Sequence, residues 1–352
     1  MIDHTILLQK LPLYLGDKCL KLFSSYLSER SQKVFLNGHL SETGLVKYGV
    51  PQGSVLGPVL FLLYVNDLPL SLSSQTIQCH MLADDTSLNI SSKSLPEIEN
   101  TLQNSITEID KWCSKNHMVL NPNKTKSMLI TTRQRHNRYN PKLNLSVNQI
   151  KINQVQEHKL LGVVIDESLT WKQHINHVSK KLSKNIYLLN RLKNILDKDT
   201  KILFYNAFIK SHIDYCSTVW DNTSKQNIQK LISLQRRASK LIYGPDTLHT
   251  TDEKMRLLNI LPLKQQHELN KGILIHKTLS GQSPSYLKHI IKQSKQQNSR
   301  LIVPFPNLDY FKQSFSYSGP FQWNKIPKTV IKTKSLYIHV FKKSYKSFLL
   351  SK

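Results

Sequence analysis

The stretch 81-MLADDTSLNI-90 sets Asp84 and Asp85 side by side in a mostly apolar run, between two apparent short strands, 76-TIQCHML-82 and 86-TSLNI-90. Adjacent ionised carboxylates repel, so holding them there is costly unless a cation sits nearby. Two readings are open. Asp is a common turn residue, and the pair can be an acidic hairpin turn. Alternatively, the hairpin tip projects two carboxylates from a rigid sheet, where hard divalent ions such as Mg²⁺ find the oxygen ligands they prefer.

Two flanking blocks bear on that choice. Upstream, 49-GVPQGSVLGPVLFLLYVNDLP-69 supplies a Pro-Gln-Gly turn leading into an apolar segment that reads as a buried helix. In it Gly53 and Gly57 allow close backbone approach to a ligand, and Gln52 offers hydrogen bonds. Downstream, 112-WCSKNHMVLNPNKTKSMLI-130 supplies an Asn-Pro-Asn-Lys turn and then a β-type stretch, 126-KSMLITT-132. The turn carries Lys124, a point charge able to meet a phosphate or give up a proton. Taken singly, these blocks are also a helix cap, a type I turn and a solvated lysine.

Periodicity places the rest. Residues 5–27 read as two short helices broken at Pro12 and Gly16, and 30-RSQKVFLNG-38 reads as a strand closed by an Asn-Gly hairpin turn. A helix is expected over 96–116, a polar basic loop over 133-RQRHNRYNP-141 and a strand at 158-HKLLGVVID-166. Over 171–196, Ile175, Val178, Leu182, Ile186 and Leu189 share one helical face, with Lys172, Lys180, Lys184 and Arg191 mostly away from it. His174 and His177, with no Cys or carboxylate nearby in sequence, are expected to meet solvent or phosphate rather than metal. Two further helices, 201–220 and 227–244, follow. In 319-GPFQWNKIP-327, Phe321 and Trp323 read as a docking segment packed on the body.

Charge separates the chain further. Residues 1–100 hold 7 Lys/Arg and 9 Asp/Glu, whereas residues 101–352 hold 42 and 14, so the formal +26 lies wholly in the later part. Such an excess points to a polyanionic partner. The four cysteines, Cys19, Cys79, Cys113 and Cys216, show no C-x-x-C spacing and fit reduced thiols. The longest apolar run, 59-VLFLLYV-65, is too short to span a bilayer, and the first residues lack a signal-peptide pattern. An intracellular protein of the cytoplasm or nucleus is expected, with no membrane partner.

In their order, these blocks resemble the reverse transcriptases of non-LTR (LINE-type) retrotransposons, especially the jockey-like group. The resemblance covers almost the whole chain: 3-DHTILLQKL-11, 23-FSSYLSER-30, the G-V-P-Q-G-S-V-L-G-P block, A-D-D-T, the W…L-N-x-x-K-T run, 157-EHKLLGVVIDESLTWKQHI-175 and 314-SFSYSGPFQWNKIP-327. It implies an α+β fold with a polymerase palm remainder at 1–165 (antiparallel sheet with packed helices), a helical thumb at 166–245 and a mixed basic C-terminal region at 246–352, the fingers being absent. It implies RNA-directed DNA synthesis from dNTPs on an RNA template and DNA primer, with two Mg²⁺ ions at the reacting phosphate. Asp84 and Asp85 then match metal-binding catalytic carboxylates, Asp84 the more direct ligand, and Lys124 the lysine that assists pyrophosphate departure. Pro51, Gln52, Gly53 and Ser54 match the template and nucleotide pocket, and residues 158–165 the support of the primer end. Lys172, Lys180, Lys181, Lys184 and Arg191 become the duplex-gripping face.

Two departures qualify those expectations. Family members carry a segment like D-L-S-K-A-F-D-x-V-D-H, whose first aspartate is a third metal carboxylate; here only Asp3 and His4 match its end. The missing aspartate and the fingers would lie before Met1, and Asp3 itself is expected to cap a helix. Two residues before the pair stands Leu82, where the family has Tyr or Phe. With two of three carboxylates, the chain is expected to be inactive alone, leaving enzymatic activity open against a non-enzymatic, basic, nucleic-acid-binding relic.

Overall fold

Pro12 and Gly16 break the N-terminal apolar run into the helices His4–Lys10 and Asp17–Leu27, with a short 3₁₀ turn Leu11–Leu13 between them. The computed structural model describes residues 2–50, 53–245, 247–294, 300–306, 309–331 and 337–352. It divides into two units, Met1–Gln156 and Glu157–Lys352.

In the first unit, Asn37 and Gly38, both at positive φ, turn the chain between the pairs Phe35–Leu36 and His39–Leu40, inside an outer pair Ser31–Gln32 and Gly44–Leu45. The helix Leu56–Val65 buries Gly57, Leu60, Tyr64 and Val65 but leaves Val59 and Leu62 half exposed, so the expected buried helix is buried on one side only. Its inner side packs with Leu7, Leu11, Leu27, Ile109, Trp112 and Cys113 in one core. The helix Leu95–Lys115 starts at Ser94, whose side chain accepts from the Glu97 N–H. Its other flank covers Leu143, Leu145, Val147 and Ile152.

Strands among the described residues form two-stranded pairs, and no larger sheet is assembled. The β-type run 126–132 contributes only Lys126–Ser127, paired in parallel with Asn153–Gln154. The segment 133–141 is a helix, Arg133–Tyr139, rather than a loop: Thr132 caps its start and Asn140, left-handed, closes its end.

In the second unit, the expected single strand 158–166 is a hairpin, Glu157–Leu160 against Val163–Asp166, turning at Leu161 and Gly162, both at positive φ. It packs on the helix Lys172–Leu192, whose Ile175, Val178, Leu182, Ile186 and Leu189 are all buried, as their spacing predicts. The expected helix 201–220 is divided into Lys198–Tyr205, a π-helical stretch Asn206–Lys210, Ser211–Asp214 and, after a left-handed Cys216, Ser217–Trp220. The helix Lys225–Tyr243 closes this core. The remaining described residues are largely helical; Leu263–Leu279, Phe315–Trp323 and Ile338–Leu350 build a separate core around Trp323, Phe341 and Tyr345.

Candidate active site

The carboxylate pair sits at the end of the antiparallel hairpin Gln78–Leu82 and Asp85–Asn89, with Leu82 opposite Asp85. Ala83 and Asp84 make the two-residue connection, Ala83 at φ +51. Alternation along the strands turns Cys79, Met81 and Leu88 to the core that holds Tyr64 and Trp112. Asp84 and Asp85 are both exposed, and Leu82 beside them is half exposed. Among the described residues neither carboxylate has a hydrogen-bond or ion-pair partner, and no group of three or more metal-ligating side chains forms. Two adjacent hard oxygen donors, unpaired with any cation, fit the two-carboxylate share of a divalent-metal site.

Of the Pro-Gln-Gly-Ser block, Pro51 and Gln52 lie outside the described residues. Gly53 is at φ +84, which L side chains adopt rarely, and is exposed. The Ser54 hydroxyl accepts from the Gly57 N–H at 2.9 Å, so it helps start the helix Leu56–Val65. Val50 and Phe61 pack on the same core as the hairpin.

Lys124 is carried by a turn built on Asn121, whose Oδ1 accepts from the N–H groups of Asn123 (3.1 Å) and Lys124 (3.2 Å). The Thr125 hydroxyl donates to the Asn121 carbonyl at 2.9 Å. The Lys124 residue is exposed, and Leu120 just before the turn joins the same core. One hydrophobic body thus anchors the hairpin together with Val50, Phe61 and Leu120, while no hydrogen bond among the described residues links Ser54, Lys124 and the carboxylates directly.

Asp3 caps as expected: its Oδ1 accepts from the N–H groups of Thr5 (2.8 Å) and Ile6 (3.1 Å). Sequence reasoning misses the rest. Asp3 Oδ2 accepts from His117 Nδ1 at 2.9 Å, the imidazole holding the Asp3 carboxyl below its ordinary value against burial, with the capping amides assisting. His4 Nε2 donates to the Gly49 carbonyl at 2.6 Å, and the Tyr64 hydroxyl donates to the Asn116 carbonyl at 2.6 Å. Residues 3 and 4 therefore tie the chain just before the Pro-Gln-Gly block to the chain leading into the Lys124 turn. Nothing local in the sequence reveals these pairings.

In the second unit, Lys172, Lys180, Lys181, Lys184 and Arg191 are exposed on one helix. His174 corrects its expectation. It is 2 % exposed, accepts from the Val164 N–H at 3.3 Å and lies against Trp220, and burial pushes its pKa down to about 4. It is a core residue, because its first-turn position faces the hairpin rather than solvent. Trp323 is buried as the docking reading expects, while Phe321 is partly exposed.

Residues 1–165 match the family described as reverse transcriptase (RNA-dependent DNA polymerase). Among curated relatives, the chain is similar to the RNA-directed DNA polymerase from mobile element jockey of Drosophila funebris, 26% identical over 71% of this chain and 28% of the relative. The Drosophila melanogaster jockey polymerase is 26% identical over 65% of this chain and 25% of the relative. A retrovirus-related Pol polyprotein from type-1 retrotransposable element R1 2 of Nasonia vitripennis is 23% identical over 49% of this chain and 43% of the relative. The chain spans about a quarter of the length of the jockey polymerases it matches.

Proposed function

We propose that the chain, whose residues 1–165 match the reverse transcriptase family and which is similar to non-LTR retrotransposon RNA-directed DNA polymerases, serves as palm and thumb of such an enzyme, extending a DNA primer on an RNA template from dNTPs. The observation that carries this is the exposed, unpartnered Asp84–Asp85 pair on a hairpin anchored in the same core as Val50, Phe61 and Leu120, which flank the Gly53–Ser54 segment and the Lys124 turn. Residues 1–165 are the palm share, 166–245 the thumb and 246–352 a basic C-terminal region that supports it.

Asp84 and Asp85 would hold the divalent ion, Asp84 more directly. When bound, such an ion neutralises charge on the attacking and leaving oxygens of a phosphoryl displacement. The chain's own residues do the rest. Gly53 and Ser54 offer a side-chain-poor surface for template and nucleotide, the role the resemblance also gives Pro51 and Gln52. Lys124 presents an ammonium to the departing pyrophosphate. The lysines and arginine of the helix Lys172–Leu192 grip the duplex through its phosphates. Asp3, engaged as cap and as partner of His117, is not free to be a third ligand. The polypeptide 1–352 is therefore proposed to bind a primer–template and to extend it weakly at most.

The test compares wild type with D84N/D85N. Mn²⁺ uptake is followed by water-proton relaxation, and binding and extension on an RNA template with a DNA primer are measured alongside. The double variant should lose the Mn²⁺ site and any extension by about 10²-fold or more, with duplex binding unchanged. Mn²⁺ uptake and extension indifferent to both substitutions would overturn the catalytic assignment. Salt-sensitive binding alone would then leave a non-enzymatic nucleic-acid binder, the second reading that the charge distribution favours.

A further inference from the structure

The run 319-GPFQWNKIP-327 sends its side chains in two directions. Pro320 and Trp323 are buried, Trp323 in the core around Phe341 and Tyr345, whereas Phe321 and Gln322 line a cavity of about 280 Å³ inside the second unit. The floor of that cavity is one face of the helix Leu263–Leu279, which carries Lys264, His267, Glu268 and Lys271 at helical spacing. Ile228, on the helix Lys225–Tyr243, and Phe321 are its apolar walls. The Phe321 ring is held from both directions along the chain. Tyr317 stacks with it at 5.9 Å between centroids, and Lys325 Nζ stands 4.1 Å from its centroid. A cavity of about 150 Å³ admits benzene, so this one has room for a bicyclic ring.

The polar lining is short of donors. Lys271 Nζ lies 2.7 Å from Asp221 Oδ2 and donates to Asn222 Oδ1 at 3.5 Å, and Asn222 Nδ2 donates in turn to the Gln313 carbonyl and the Ser318 hydroxyl. Beneath them Asp221 Oδ1 and His267 Nε2 are buried acceptors with no donor. His267 is neutral, burial holding its pKa down to about 3, and its other ring nitrogen is engaged by the Ile213 backbone, which leaves Nε2 an acceptor. Nearer solvent, the half-buried Glu268 and the exposed Lys264 have no hydrogen-bond or ion-pair partner among the described residues. Unmet acceptors therefore outnumber unmet donors, and unmet buried acceptors are costly. The lining carboxylates, Asp221 and Glu268, balance the ammoniums of Lys264 and Lys271 in formal charge, so neither a phosphate nor an amine is favoured. What fits is a neutral flat ring that brings adjacent N–H donors to a carboxylate and an acceptor to an ammonium. Lys264 and Glu268, at i and i+4, are neighbours on the helix face and present that pair. Among the neutral nucleobases, guanine alone has two adjacent N–H donors, N1–H and the 2-amino group, with the O6 acceptor beside them.

We propose that this cavity is a pocket for one unpaired guanine base, with Glu268 accepting from N1–H and the 2-amino group, Lys264 donating to O6, and Phe321 and Ile228 flanking the ring. Asp221 Oδ1 and His267 Nε2, sealed under the floor, add negative potential beneath the donor edge. The Asp221–Lys271 pair and the Asn222–Ser318 bond hold the walls in place. The pocket uses neither the Asp84–Asp85 hairpin nor the basic face of the helix Lys172–Leu192, so it stands apart from the polymerase reading.

The experiment is an NMR saturation-transfer titration of the full chain with guanosine, inosine and adenosine, uncharged probes that leave phosphate contacts out. Guanosine should bind about tenfold tighter than inosine, which lacks the 2-amino donor. Adenosine should bind weakest, because its N1 turns an acceptor toward Glu268. E268Q, at a position with no partner to lose, should weaken guanosine by about tenfold and erase its preference over inosine, with thermal unfolding unchanged. F321A should weaken guanosine and inosine alike. RNA hairpins carrying a single G or A in the loop then identify the source. A preference for the G loop that E268Q abolishes assigns the base to an RNA strand, and guanosine selectivity without loop preference assigns a free nucleoside; the guanine pocket stands in both cases. Equal binding of the nucleosides, selectivity that survives E268Q, or no guanosine binding at millimolar concentration would overturn it.

Discussion

Asp3 divides its two carboxylate oxygens between different tasks, one capping the helix His4–Lys10 and the other meeting His117. Removing a cap of this kind costs about 1 kcal/mol, and the pairing with His117 adds little because that imidazole is mostly exposed. D3A should therefore destabilise the first unit by about 1–2 kcal/mol at pH 7. D3N, which keeps a capping oxygen, should cost less. The Asp3 carboxyl titrates below the ordinary aspartate value of 3.8, so its charge-dependent stabilisation is complete above that pH. That contribution is lost as pH falls through the lower, folded-state value. Urea unfolding at pH 7 and below pH 4 checks both statements. The same variants should leave Mn²⁺ uptake at Asp84 and Asp85 intact; loss of uptake in D3A at full stability would instead make Asp3 a ligand.

At the level of elements, Gly272 decides how closely the helix Leu263–Leu279 meets the helix Ile338–Leu350. A Cβ there would lie 2.7 Å from Tyr345 Cε1 and 3.0 Å from Cδ1. Alanine is favoured over glycine within a helix by about 1 kcal/mol, but overpacking a core costs about 1–3 kcal/mol. Tyr345 is 1 % exposed and ringed by Phe341 and Phe348, so it has nowhere to retreat. G272A should therefore lower stability by about 1–2 kcal/mol, and a variant more stable than wild type in urea would refute the close approach. This contact is invisible in the sequence, where Gly272 is only a weak point in a helix. Features with a local code were legible: the seam from Ile175 to Leu189, the Asn37–Gly38 turn, and the Asp84–Asp85 hairpin. Features set by distant partners were not. The turn at Leu161 sets an apolar residue at φ +47 and is held by Tyr215 from 54 positions away. Asp3 and His117 are 114 positions apart, and the Arg133–Tyr139 helix has no apolar face to announce it.

Across the molecule, acid acts on the two units differently. The second unit holds 33 Lys/Arg against 12 Asp/Glu, the first 16 against 11, so self-repulsion is concentrated in the second. Its core also encloses two histidines that pack against the fully buried Trp220, His174 with ring centroids 5.3 Å apart and His267 at 5.1 Å. Burial holds His174 down to about 4 and His267 down to about 3, the positive Lys271 adding to the effect on His267. Below the ordinary histidine value of 6.5 the unfolded chain takes up protons that these folded residues refuse. Each such histidine then costs about 1.4 kcal/mol of stability per pH unit until its folded value is reached. Asp3 in the first unit behaves oppositely, keeping its contribution down to 3.8. The second unit should consequently loosen first as pH falls from 6.5 toward 4. Hydrogen exchange, corrected for intrinsic rates, should show protection falling in the helices Lys172–Leu192 and Lys225–Tyr243 while Leu95–Lys115 holds. In H174Q the fall should be shallower, because one of the refused protons is removed. Simultaneous loss in both units, or a slope unchanged by H174Q, would mean that the buried histidines do not govern acid stability.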